Sequence, residues 1–142
     1  MLMYLSCLGY SVISLCLFYA IYTDVKFRKI FNKIPLTIIF VSVLLILFTE
    51  LKISYISVVV IFISGFLLSV YNFWGAGDAK FCFALSLSLP GEYIPTFLLF
   101  TSLAGGILAV IMLAIPRLKG KYKSVPYGIA LSLGYMATML VL

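Results

Sequence analysis

The chain has 142 residues, of which 65% are hydrophobic and 10% charged, with a formal net charge of +6 and no histidine. So little charge excludes an ordinary soluble domain, and the missing histidine excludes His-dependent triads and His metal sites. Cys7, Cys16 and Cys82 form no CxxC pair, so neither a zinc site nor a disulfide framework is indicated.

A bilayer-crossing helix takes about 20 mostly apolar residues, which leaves room for about six and for no soluble domain besides. The first apolar segment covers residues 2–22. No basic residue precedes it and no clear small-residue cleavage site follows, so it reads as a retained span, not a signal peptide. Thr23 and Asp24 end it, and a basic stretch with Lys26, Arg28, Lys29 and Lys33 follows. The second segment covers residues 34–49, with Glu50 and Lys52 in the break after it. The third, residues 53–74, carries Gly65 and Ser69 at a spacing that lets helices approach closely. Gly75-Ala76-Gly77-Asp78-Ala79-Lys80 leads into the fourth, residues 81–89, which Pro90-Gly91-Glu92 ends. The fifth covers residues 94–115, with Ser102 and Gly106, and Gly105 and Ala109, at the same small-residue spacing. Pro116 closes it, and a second basic stretch holds Arg117, Lys119, Lys121 and Lys123. The sixth runs from residue 125 to the C-terminus.

These segments must be helices, because lipid offers a bare backbone no hydrogen bonds and the runs lack barrel-type alternation. The expected fold is an all-α membrane protein of six transmembrane helices, one integral membrane domain over residues 1–142. Alternating loops put Lys26, Arg28, Lys29, Lys33, Lys80, Arg117, Lys119, Lys121 and Lys123 on one side, and Lys52 alone on the other. The positive-inside rule makes the first side cytoplasmic and places both termini outside. The positive charge is thus a topology signal and not a nucleic-acid surface. The fourth segment is too short for this role, since residues 79–89 give roughly 16 Å of helix at about 1.5 Å per residue. The hydrocarbon core is about 30 Å thick. The glycine-rich segment before it is therefore expected at membrane depth, sheltered by protein or by a wet cavity.

The four carboxylates are Asp24, Glu50, Asp78 and Glu92. The topology puts both glutamates outside and both aspartates on the cytoplasmic side. An ionisable group at membrane depth is costly and marks a functional candidate. A single aspartate at a span end also suits a helix boundary or a lysine partner; two on one face, one in a Gly-x-Gly-Asp turn, favour a site. Gly75 and Gly77 are expected to take positive φ, turn the chain sharply and admit an extended substrate closely. Asp78 would then open the fourth helix, where free N–H groups favour negative charge. Two carboxylates held close can share a proton, one acting as base toward water and the other as acid toward a carbonyl. That chemistry hydrolyses an amide without metal, serine triad or histidine.

Asp24-Val25-Lys26-Phe27-Arg28-Lys29-Ile30-Phe31-Asn32 resembles the first motif of the type IV prepilin peptidases, an Asp followed by basic residues, Ile and Asn. Gly75-Ala76-Gly77-Asp78-Ala79-Lys80 matches their GxGDxK motif, and Val125-Pro126-Tyr127-Gly128-Ile129-Ala130 resembles their Pro-Tyr-Gly-x-Ala stretch. The likeness covers nearly the whole chain; Phe31 departs from it, standing where many members have Pro. The resemblance implies an aspartyl endopeptidase of the multi-pass inner (cytoplasmic) membrane, with Asp24 and Asp78 as the dyad and no cofactor. Its substrates would be prepilins or pseudopilins, cut on the cytoplasmic side between a basic leader and a hydrophobic helix. The chain has no paired CxxC motifs, so the N-methylation of the long bifunctional members is not expected. It looks like the compact Tad/Flp-type form or a short archaeal-type relative. Membrane lipid is the other expected partner, and the oligomeric state is not encoded legibly.

The remaining candidates each have a plain alternative. Lys80 biases the charge on Asp78 or holds lipid phosphate, or it is a cytoplasmic-side anchor. Asn32 orients the Asp24 loop or caps the second helix. Pro126, Tyr127 and Gly128 line the cleft, or Tyr127 is an interface anchor; Trp74 reads as an interface residue. Three other functions compete with the peptidase: a small proton-coupled transporter or channel carried by the two aspartates, a presenilin-type GxGD protease, and a non-catalytic assembly subunit. The transporter leaves the GxGD turn unexplained, and the presenilin type carries Tyr-Asp where Thr23 precedes Asp24.

Overall fold

The computed structural model describes residues 2–49, 51–72, 74–114 and 126–142. Among them are six α-helices, one short 3-10 helix and no strand. The helices are α1 (Leu2–Phe27), α2 (Lys33–Phe48), α3 (Tyr55–Val70), α4 (Ala76–Ser86), α5 (Ile94–Ala114) and α6 (Tyr127–Val141), with the 3-10 turn Gly91–Tyr93 leading into α5. Two stretches, Tyr4–Phe27 and Gly91–Ala114, are long and apolar enough to cross a membrane. Glu50, Pro116, Val125 and the second basic stretch, Arg117, Lys119, Lys121 and Lys123, lie outside the described residues.

Three helix boundaries differ from the sequence reading, each for a local reason. The first helix does not stop at residue 22 but carries Asp24 in its last turn. Polar side chains alone do not end a helix; Lys26 stays in it and donates to the Tyr22 hydroxyl at 2.9 Å. The stop comes at Arg28, which takes the left-handed conformation (φ 53) and donates its amide to the Asp24 carbonyl at 3.1 Å. The third helix begins only after Ser54, whose hydroxyl caps the Ser57 amide, and ends at Val70, leaving Trp74 beyond it. The fourth helix starts earlier than its apolar run. Gly75 accepts from the Ala79 amide at 3.0 Å, so Gly77 and Asp78 belong to the first helical turn. This overturns the expected positive φ: Gly75 is extended (φ −66), and no described glycine has positive φ.

Short α4 is the strut of the bundle. Helices α2, α3 and α6 pack on it, α5 packs on α6, and α1 bridges α2 and α6. Phe81, Cys82, Ala84 and Leu85 of α4 are therefore buried. Gly65 lets α3 lie on α4, since a Cβ there would meet the Ala79 Cβ at 3.3 Å. Of the other small pairs, Gly105 faces Tyr127 and Ala130 of α6, whereas Gly106 faces open space. The far end of α4 is tied by polar contacts. The Ser88 and Tyr135 hydroxyls share a hydrogen bond of 2.7 Å, and the Tyr10 hydroxyl donates to the Ser88 carbonyl. Beyond it the Gly91 amide donates to the Lys52 carbonyl, joining the two loops there.

The outer surface is apolar: Phe40 and Leu47 on α2, Ile56 and Val60 on α3, and Leu103 and Leu113 on α5 are all exposed. Ser42, Ser86, Ser132 and Thr138 are buried, each donating its hydroxyl to a carbonyl of its own helix. Water would penalise so much contiguous apolar surface, whereas lipid would not.

Candidate active site

The last turn of α1 and the first turn of α4 meet at one end of the bundle. Asp24 comes from the former and Asp78 from the latter, and both line one cavity of about 290 Å³. Asp24 is only 5% exposed; Asp78 is half-buried. Arg28 and Lys29 from the turn after α1 add a basic rim. Of the residues singled out in the sequence, Asn32, Gly75, Gly77, Lys80 and Tyr127 line the same cavity. Pro126 precedes α6 and is buried, and Gly128 lies against Asp24.

Each aspartate is backed by a glycine. A Cβ on Gly128 would stand 2.7 Å from Asp24 Oδ2, and one on Gly75 would stand 2.7 Å from Asp78 Oδ2. The glycines of the two motifs thus serve close approach to a carboxylate, not a sharp turn. The Gly128 and Ile129 amides at the start of α6 and the Arg28 guanidinium face the Asp24 carboxyl. Its Oδ2 is buried and has no hydrogen-bond partner among the described residues.

Asn32 does not cap α2 with its side chain. Lys80 donates to Asn32 Oδ1 across 3.5 Å, a long bond that links α4 to the turn before α2. Trp74 stands edge-on to Tyr127 with ring centroids 6.0 Å apart and its indole N–H is buried, so it packs within the fold and is not simply an interface anchor. Sequence reasoning passed over Ile30. It is buried and packs beneath both Gly77 and Gly128. Its place in the first motif, between Lys29 and Phe31, was the available signal.

Asp78 stands ahead of the apolar part of α4. Two carboxyls on one cavity can pass a proton to and from a bound group. Among the described residues no three of His, Cys, Asp and Glu come together, so the cavity offers two carboxylates and no fuller metal-ligand set.

No curated protein and no solved structure shows a significant match to the chain. The family model of the type IV leader peptidases matches residues 11–110, a range that holds both Asp24 and Asp78. With well over half its length matched, the chain belongs to the type IV leader peptidase family, a family of membrane-associated proteases.

Proposed function

We propose that the chain is a membrane aspartyl endopeptidase that removes the basic leader of prepilin-like proteins, with Asp24 and Asp78 as its catalytic dyad. One observation carries the reading: the carboxylates of the two motifs, far apart in sequence, line a single cavity. Asp24 is the base and Asp78 the acid. Asp24 takes a proton from water as the water oxygen bonds to the scissile carbonyl carbon, and Asp78 gives its proton to the carbonyl oxygen. The tetrahedral intermediate then collapses as the amine nitrogen is protonated from Asp24 and the C–N bond breaks, the intermediate's hydroxyl proton returning to Asp78. The mechanism calls on no metal or cofactor. Gly75 and Gly128 set the carboxylates, and Lys80, Asn32, Gly77, Pro126 and Tyr127 hold substrate or the loops around it.

Residues 1–142 act as one integral membrane domain of six spans in the inner membrane. The apolar exterior and the one-sided basic residues support this placement, with the dyad at the cytoplasmic face and both termini outside. Glu92 lies beyond the opposite end of α4, in the 3-10 turn that meets Lys52 through Gly91.

Co-expression with candidate prepilins, read as a mobility shift, tests the reading. Asp24→Asn and Asp78→Asn each abolish the shift while the protein still inserts, and Glu92→Gln keeps it. Aspartate-dependent ion flux with every prepilin uncut would overturn the peptidase in favour of a transporter.

A further inference from the structure

Helices α2 and α3 both pack on α4 but make no extensive contact with each other. The gap between them is a cavity of about 480 Å³, walled by Leu36 and Ile39 of α2 and by Phe62 and Phe66 of α3, with Ala79 and Phe83 as its floor. Leu36, Phe62 and Phe66 are more than half exposed, so the gap is open toward the outside of the bundle. Phe62 and Phe83 meet edge to face at 5.1 Å, which fixes wall against floor. Asn32 and Lys80 line this groove and also line the dyad cavity. The groove therefore adjoins the dyad cavity at Asn32 and Lys80.

From this continuity we infer that the groove between α2 and α3 is the docking site for the apolar helix that follows the scissile bond of the substrate. The inference rests on the peptidase reading and adds the place where the membrane-embedded part of the substrate lies. A scissile bond at the dyad has a basic leader on one side and an apolar helix on the other. The leader is charged and stays in water beyond the cavity mouth. The apolar helix needs an apolar path that stays in lipid until it meets the dyad, and the groove supplies one with aromatic walls. A second exposed face, on α5 around Ser102 and Gly106, has the small residues that helix docking favours. The cavity that Ser102 and Gly106 line together with Tyr127 meets the dyad cavity at Tyr127 alone, whereas the groove between α2 and α3 meets it at Asn32 and Lys80 and has aromatic walls.

Site-specific photo-crosslinking decides between them. Benzoylphenylalanine replaces Phe62, Phe66 or Leu103, one at a time, in an Asp78→Asn background that holds the substrate uncut. Each variant's thermal midpoint in detergent, matching that of Asp78→Asn alone, shows that it folds. The probe is a prepilin that the unaltered chain shortens. Adducts to the prepilin from positions 62 and 66, at least tenfold above position 103, are the expected result. Equal adducts at all three positions, adducts from 103 alone, or adducts only to a second copy of this chain would overturn the groove assignment. A prepilin that is shortened while both groove positions stay silent sinks the groove and leaves the peptidase standing. Failure of the unaltered chain to shorten any prepilin sinks both.

Discussion

Gly128 presses on Asp24: a methyl group on its Cα would sit 2.7 Å from the Oδ2 of that aspartate and 3.0 Å from the Cδ1 of Ile30. The carboxylate is the softer neighbour, being the end of a short side chain at a helix end. Gly128→Ala should therefore move Asp24 more than it disturbs the bundle. Misplacing a reacting group by about 1 Å costs on the order of 100-fold in rate. The expected result is that loss in kcat/KM for prepilin cleavage, with a thermal midpoint within about 4 °C of the wild type. Gly106→Ala is the control, because nothing lies within 4 Å of the added Cβ, and it should keep full activity.

Gly75→Ala makes the same demand on the second carboxylate, whose Oδ2 would lie 2.7 Å from the new Cβ. Gly75 is extended at the start of α4, a conformation alanine adopts easily. Folding should thus survive and cleavage should fall by a similar factor, on the order of 100-fold. Wild-type cleavage by Gly75→Ala would remove the proposed role of that glycine.

Much of this arrangement was legible in the sequence because lipid imposes a simple rule. Long apolar runs had to be helices, and α2 and α5 fall within a residue or two of where hydropathy put them. That Asp24 and Asp78 share one end of the bundle also followed from counting loops. Hydropathy failed where helices continue past their apolar part. Asp24 lies inside α1, and Gly77 and Asp78 lie inside α4, because backbone hydrogen bonds and not side-chain polarity set those ends. The contacts of Gly128 with Asp24 and Ile30 join segments about a hundred residues apart, that of Gly77 with Ile30 segments about fifty apart, and no local pattern encodes them.

The hydrogen bond between Ser88 and Tyr135 is structural and far from the dyad, at the other end of α4. Hydrogen bonds between membrane helices contribute about 0.6 kcal/mol on average. Tyr135→Phe should lower the thermal midpoint by roughly 1–3 °C without changing kcat. Gly65→Leu should cost far more, because the α3 backbone already lies against Ala79. A Tyr135→Phe variant that folds normally and cannot cleave would mean that this end of α4 takes part in the reaction.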